Sequence, residues 1–383
     1  MKWSNKGHEF DSVAVKICSH VELCKYYIWG AGTFGRAFYG LFKDKIHIIG
    51  FVDSKPEKQN TMVDGVKVYA PAVLKDTDAI VLVSTGWTHQ VYTELNKMGF
   101  KKHETYFHID EFTSVYMLYK ENKIYVSDIT YTITERCSLK CKNCNGFIPH
   151  LKEARNYEKV DILKNLDMFF QWCDYVNVLA LCGGDAMVHP EFASILELVG
   201  ERYYPKKAGN IEVYSNAVIV PDEAVLKMMK KYNVYYRFSD YRPYTEGRQK
   251  VEEIITLLKN NGIRYDHVKF EKWCDCGYPQ ESNGIQGESN LIKFFERCDR
   301  RSCHNLTERG VIFCGMAHAA DRVGYCAIEE EEYFKLENYE QARRNEFLEY
   351  MLGYSEKGYH AYCAKCNGGA NVNHNLIEAG EQM

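Results

Sequence analysis

Cys137, Cys141 and Cys144 fall within eight residues, in the run Arg136-Cys137-Ser138-Leu139-Lys140-Cys141-Lys142-Asn143-Cys144. The C-x3-C-x2-C spacing puts three thiolates on one short loop. They can point inward at a single iron–sulfur cluster, each binding one iron. A fourth protein ligand is missing locally. An iron left open in this way is a position where a ligand can bind and be activated. The plainer alternative is a structural zinc site, although such sites usually pair C-x2-C units and are closed by four ligands.

The elements around this loop read as alternating strands and helices. Tyr125 to Thr134 is an expected strand directly before the cysteines. Further strands are expected at Asn177–Leu181, Ile211–Tyr214, Val234–Phe238 and Ile263–Val268. Phe192, Ile195, Leu196 and Val199 sit at helical spacing, as do Val251, Ile254, Ile255 and Leu258. Repeated β-then-α units predict a complete or partial parallel barrel, with chemistry at the C-terminal ends of the strands. An earlier segment repeats the pattern. Tyr26–Trp29, Ile46–Val52 and Ala79–Ser84 read as strands, the last ending at Thr85-Gly86. A helix follows the first, with Phe34, Phe38, Leu41 and Phe42 on one side. From about Cys274 the pattern loosens, as in a small domain held by metal. The acidic run Glu329–Glu332 reads as a solvated surface. The expected organisation is an α/β chain with domains at 1–115, 122–275 and 276–383.

The composition narrows the class. The chain has 383 residues, with 26% charged and a net charge of −4, so nothing draws it electrostatically to nucleic acid or an anionic membrane. Met1 to Phe10 lacks the basic segment and apolar core of a signal peptide, and there is no apolar run of membrane-spanning length. A cytoplasmic location is expected. In a reducing compartment fifteen cysteines, eight of them from Cys274 onward, favour metal or catalytic roles over a disulfide framework.

The triad, its place after the first strand of a β/α array, and the later Gly183-Gly184-Asp185 resemble the radical S-adenosylmethionine superfamily. The resemblance implies a 4Fe–4S cluster on Cys137, Cys141 and Cys144 whose fourth iron is chelated by the amino and carboxylate groups of S-adenosylmethionine. Reductive cleavage of that cofactor would yield a 5′-deoxyadenosyl radical that removes hydrogen from substrate. It further implies contacts to the cofactor from Gly183, Gly184 and Asp185, from Ser215 and Asn216, and from Ser239. Strand-end capping by Ser and Asn is the alternative for the last three. Arg237 either faces the cofactor carboxylate or points outward. Asn143 stands where the family often has an aromatic residue, which leaves Phe147 as a candidate shield.

A second group resembles the shortened auxiliary-cluster (twitch or SPASM-like) domain of some members of that superfamily. Cys314, Cys363 and Cys366 are the implied ligands of a second 4Fe–4S cluster, with Cys303 as the fourth and Cys298 competing for that place. A zinc knuckle from the same residues is the alternative. Cys182, Cys274 and Cys276 fit neither group. They read as small buried residues, or as hydrogen-atom donors.

Near the start, Gly30, Gly32 and Gly35 form G-x-G-x-x-G between strand and helix, with Asp53 at the end of the next strand. This pattern permits close approach of a phosphate to a helix N-terminus and a carboxylate on a ribose. The wider text, Ile49–Asp53, Asp64–Tyr69 and Val81–Gly86, resembles the Rossmann-like domain of nucleotide-sugar acyltransferases. A nucleotide sugar, a dinucleotide and an empty scaffold all remain open.

The function implied is hydrogen abstraction from a carbohydrate or nucleotide-linked sugar, with a flavodoxin- or ferredoxin-type electron donor. Oxidation and epimerisation differ in labelling, because solvent deuterium enters the product only in the second. Peptide modification is an alternative, although the N-terminal segment lacks the winged-helix look of a leader-peptide binder. A zinc-stabilised nucleotide-binding protein without catalysis is another.

Overall fold

A computed structural model describes all residues except His20, Glu22, Gly86, Trp87 and Pro243, and the side chains of His89 and Ser302. Gly86, expected at a strand end, therefore lies outside the described residues. The chain forms two compact units, one of residues 8–124 and one of residues 1–7 with 125–383.

The smaller unit contains α1 (Asp11–Ser19), β1 (Lys25–Trp29), α2 (Thr33–Phe42), β2 (His47–Val52), β3 (Met62–Val63), β4 (Val66–Tyr69), β5 (Ile80–Val83), α3 (Thr88–Lys97), β6 (Tyr106–His108) and α4 (Ile109–Glu121). Its sheet runs β3-β4-β2-β1-β5-β6 and is parallel except for the β3–β4 pair. The strands are apolar runs because both faces are covered, as parallel sheets require. Tyr27, Trp29, Val52, Val81 and Val83 form the centre of that core. In α2 the buried residues are Gly35, Phe38 and Phe42, whereas Phe34 and Leu41 are exposed. The expected four-residue apolar face is therefore corrected: close helix–strand packing needs the glycine at 35, and that turns Phe34 outward.

The larger unit contains β7 (Tyr125–Thr134), α5 (Lys159–Trp172), β8 (Tyr175–Gly183), α6 (Phe192–Tyr203), β9 (Ala208–Ser215), α7 (Glu223–Lys231), β10 (Tyr235–Asp240), α8 (Val251–Asn261), β11 (Tyr265–Lys269) and β12 (Lys272–Cys274). Then come α9 (Glu288–Arg297), β13 (Asn305–Thr307), β14 (Gly310–Ile312), α10 (Gly315–Arg322), α11 (Arg344–Met351) and β15 (Leu376–Glu378). Its main sheet runs β11-β10-β9-β8-β7-β13-β14. The pairs from β11 through to β13 are parallel, and β13–β14 is an antiparallel hairpin. A separate pair joins β12 to β15.

Alternation along the strands divides the main sheet into two faces. Ile129, Tyr131 and Ile133, Leu179 and Leu181, Ile211 and Val213, and Tyr236 and Phe238 are buried on one. Asn165 of α5 hydrogen-bonds the Tyr131 hydroxyl there at 2.8 Å. The other face carries Thr130 and Thr132, Cys182, Glu212 and Tyr214, Arg237 and Ser239, and Asp266, all partly exposed.

The first residues also belong to this unit. Trp3 N–H donates to the Ser355 carbonyl at 3.1 Å, and Gly7 N–H to the Glu349 carboxylate at 2.7 Å. The expected solvated run Glu329–Glu332 needs correction at its last residue. Glu332 is buried, accepting from Ala361 N–H at 2.9 Å and contacting His360 Nδ1 at 3.0 Å. Among the described residues no helix is long and apolar enough to cross a membrane.

Candidate functional site

The three cysteines follow β7 directly, at the carboxyl end of a central strand. The loop is held against the end of β8 through its glycines. Gly184 N–H donates to the Thr134 carbonyl and Asp185 N–H to the Arg136 carbonyl, both at 3.0 Å. A Cβ on Gly183 would lie 2.2 Å from the Thr134 carbonyl oxygen, and one on Gly184 2.4 Å from that of Arg136 and 2.8 Å from Cys137 Cβ. The missing side chains are thus taken up by the cysteine loop itself.

Asp185 is buried, and both its oxygens are used. Oδ1 accepts from Met187 N–H at 2.9 Å, and Oδ2 from Asn216 N–H at 2.9 Å and Ser215 Oγ at 3.2 Å. Burial outweighs these donors and pushes its pKa up to about 6. Its carboxylate ties the ends of β8 and β9 together. Asn216 donates through Nδ2 to Cys137 Sγ at 3.4 Å and to Ser138 Oγ at 3.0 Å. Ser239 lies within β10, and its carbonyl accepts from Gln249 Nε2 at 2.7 Å. Gln249 also donates to the Asn216 carbonyl at 2.5 Å and accepts from Tyr241 N–H at 2.8 Å. This buried amide laces β9 to β10, and a lone Gln in a loop gave no pattern to find it by. Arg237 is held on the polar face between Glu212 and Asp266, each at 3.5 Å.

Each sulfur of the triad receives N–H groups. Cys137 takes Leu139 N–H at 3.4 Å besides Asn216. Cys141 takes Gln382 Nε2 at 3.3 Å. Backbone N–H groups of Ile148, Gly146 and Phe147 favour the anion of Cys144. Burial nevertheless raises all three pKa values, that of Cys137 to about 12. Thiols half-buried or buried among donors suit thiolates whose charge is met by bound metal, since a thiol is a weak acceptor. Phe147 is buried against the rings of Tyr278, Tyr325 and Tyr362, at 5.0 to 6.2 Å.

The second group gathers around a small cavity of about 20 Å³, partly open to solvent. Cys298, Cys314, Cys363 and Cys366 line it, with Arg300 and His360. Cys303 is not among its lining residues, though it interacts with Arg300 and Cys314, which are. Of the two candidates for the fourth place, Cys298 is thus the one that lines the cavity. The C-x4-C spacing turns through a short 3-10 segment, Asp299–Ser302, which separates the two thiols. Cys366 Sγ accepts from Gly368 N–H at 3.2 Å and Cys298 Sγ from Gly369 N–H at 3.4 Å. Arg300 is half-buried beside them, its Nε inaccessible and with no hydrogen-bond partner among the described residues. A guanidinium there suits an anionic group in this cavity. Among the described residues no three His, Cys, Asp or Glu side chains converge on a point for one metal ion. A polynuclear cluster holds its thiolates further apart, each on its own iron.

Of the remaining cysteines, Cys182 is on the polar sheet face, with Sγ 3.6 Å from Thr132 Oγ1. Burial pushes its pKa up to about 11. Cys276 is buried 3.3 Å from Asn145 Oδ1 and lines a small cavity with Cys144 and Phe147. Cys274 is in β12 and half-buried.

In the smaller unit Asp53 Oδ2 accepts from Ala31 N–H at 3.0 Å and from Lys58 Nζ at 3.1 Å, while Oδ1 accepts from Lys55 N–H at 3.0 Å. A Cβ on Gly35 would lie 2.0 Å from the Gly30 carbonyl oxygen, whereas one on Gly32 meets nothing within 4 Å. Gly30 has a φ of +117° and packs on Ser84. Two of the three glycines are therefore required by packing, and both Asp53 oxygens are engaged within the chain.

A protein-family profile described as C2185-like, N-terminal, matches residues 22–105. No curated protein matches the sequence. Among solved structures, BtrN in complex with AdoMet and 2-DOIA is similar at 12% identity, with 66% of this chain and 97% of that chain covered and a TM-score of 0.41. Native anSMEcpe with bound AdoMet and Kp18Cys peptide is similar at 15% identity, covering 45% and 58%, with a TM-score of 0.32. Streptococcus suis SuiB bound to S-adenosylmethionine is similar at 14% identity, covering 58% and 51%, with a TM-score of 0.32. The chain thus spans just over half the length of the last two.

Proposed function

We propose that this protein is a radical S-adenosylmethionine enzyme acting on a polar small molecule. The observation that carries the reading is the triad Cys137, Cys141 and Cys144. Its sulfurs, that of Cys141 buried and those of Cys137 and Cys144 half-buried, are each supplied with N–H donors on the loop at the carboxyl end of a parallel strand. The residues fit a 4Fe–4S cluster with one open iron, which supplies the electron that cleaves S-adenosylmethionine to a 5′-deoxyadenosyl radical.

The chain's own part is placement. Gly183 and Gly184 clamp the cysteine loop to β8, and Asp185 fixes β9 beside it. With the Asp185 side chain committed, contact to the cofactor there falls to backbone groups. Ser215 is tied to Asp185 and acts the same way, while Asn216 serves the sulfur of Cys137. Ser239 borders the half-open polar face, which forms the wall of a partial barrel. Glu212, Tyr214, Arg237 and Asp266 on that wall suit a substrate rich in hydroxyl or charged groups, such as a carbohydrate or nucleotide-linked sugar. Oxidation and epimerisation are both compatible with it, the latter with Cys182 as the hydrogen donor nearest the wall. Residues 276–383 would hold an auxiliary 4Fe–4S cluster on Cys298, Cys314, Cys363 and Cys366. Residues 1–115 would serve as a Rossmann-like module for a nucleotide sugar. An external flavodoxin or ferredoxin would supply electrons in a cytoplasmic setting.

The test is anaerobic reconstitution followed by reduction with S-adenosylmethionine present. Iron near eight per chain and release of 5′-deoxyadenosine are expected. Zinc binding without cofactor cleavage would overturn the reading in favour of a structural metal protein. Turnover of a peptide but of no sugar would move the substrate to the peptide class.

A further inference from the structure

The loop that carries the triad has a partner that the function above leaves unused. After β15 the chain turns at Gly380, whose φ of +76° and closeness to Tyr241, 2.5 Å from a would-be Cβ, leave room only for glycine. Residues 381–383 then run antiparallel to the cysteine loop. Lys142 N–H donates to the Glu381 carbonyl at 2.7 Å, and Met383 N–H to the Lys140 carbonyl at 2.9 Å. These two backbone bonds straddle Cys141 and bring Gln382 opposite it.

The side-chain amide of Gln382 is fully assigned by its neighbours. Oε1 accepts from Lys140 N–H at 2.9 Å and from Arg248 Nη2 at 2.6 Å. Neither can accept a hydrogen bond, so the amide cannot flip. Nε2 is thereby directed to the Gly380 carbonyl at 2.6 Å and to Cys141 Sγ at 3.3 Å. Arg248 also reaches the Ser138 carbonyl at 3.5 Å, so the residue that locks the amide is braced by the same loop.

Resting on the cluster reading above, we propose that Gln382 is a positioning residue that raises the reduction potential of the triad's cluster by donating its amide N–H to the Cys141 sulfur. The physical reason is charge. Reduction adds an electron that is shared with the thiolate sulfurs, and a donor on one of them stabilises the reduced state more than the oxidised. Arg248 acts at one remove, by holding the donor in place.

The experiment is a redox titration of the full-length, iron-loaded protein. It is followed by the part of the reduced-state electron paramagnetic resonance signal that S-adenosylmethionine perturbs. Gln382→Leu keeps the backbone pairing and removes the donor. At a fixed solution potential the ratio of reduced to oxidised cluster is expected to fall about tenfold, a shift of ~59 mV for one electron. Gln382→Glu replaces the donor by an acceptor and should lower the potential further, even though its carboxylate still binds Arg248. Arg248→Gln frees the amide to turn and should give part of the Leu shift. Iron content should match the native protein in all three. An unchanged potential in Gln382→Leu at native iron content overturns the proposal. So does loss of iron in both Gln382 variants, since the residue would then hold the loop together and not tune it. A native protein with no iron–sulfur signal would instead remove the underlying reading.

Discussion

A cysteine that binds iron and a cysteine packed in a core look alike in sequence, and substitution tells them apart. Cys141→Ala should abolish 5′-deoxyadenosine formation on reduction, read by chromatography of the quenched reaction. Full product from that variant would contradict the assignment. In the second group Cys298→Ser should lose the auxiliary iron, whereas Cys303→Ser should keep it, as measured by iron analysis. The difference follows from which thiol lines the cavity. Asp53 gives a prediction in the other unit. Burial pushes its carboxyl up, but N–H groups of Lys55 and Ala31 and the Lys58 ammonium together hold it below the usual range. A depressed carboxyl stabilises the fold above its unfolded pKa, and that contribution is lost as pH falls through the folded value. Asp53→Asn should therefore cost about 1–2 kcal/mol at neutral pH, and the gap from the native protein should close below roughly pH 4. Urea unfolding at several pH values would show it.

At the level of elements, glycines decide how strands meet loops. Gly184→Ala puts a methyl within 2.4 Å of a backbone oxygen that has little room to move. Overpacking of this kind costs roughly 1–3 kcal/mol, and here the displaced atoms belong to the cysteine loop. The variant should fold but take up less iron, visible as weaker visible absorption after reconstitution. The strands were legible because apolar runs and β-branched residues mark them, and β7 coincides with its expected Tyr125–Thr134. The spacing of the triad is visible in the sequence, and the structure sets that loop directly after β7. What escaped were pairings between distant residues. Gln382 lies 241 positions from Cys141, and Gln249 and Arg248 sit in a loop with no periodicity. Spacing left residues 298 and 303 as competitors, because it does not say which way a short turn carries a side chain. Glu332 looked solvated because three exposed acids precede it, yet its carboxylate caps a segment leading to Cys363.

At the scale of the molecule, each of the two compact units has its own hydrophobic core, and only the larger contains the clustered cysteines. Separate cores predict separate melting transitions. Chelating the iron should lower one transition and leave the other in place, because a ligand stabilises only what it binds. Differential scanning calorimetry of loaded and stripped protein is the measurement. A single transition moving as a whole would show the two cores to be coupled.

The membership of residues 1–7 in the larger unit makes residues 8–124 an insert, spliced into a host body at two joints instead of hung from one end. A cut at the downstream joint leaves the smaller unit joined covalently to residues 1–7 alone, and these stay on the larger unit through hydrogen bonds such as that of Gly7 to Glu349. The first few residues, pinned by Ser355 and Glu349, anchor the upstream joint to the same body as the downstream one.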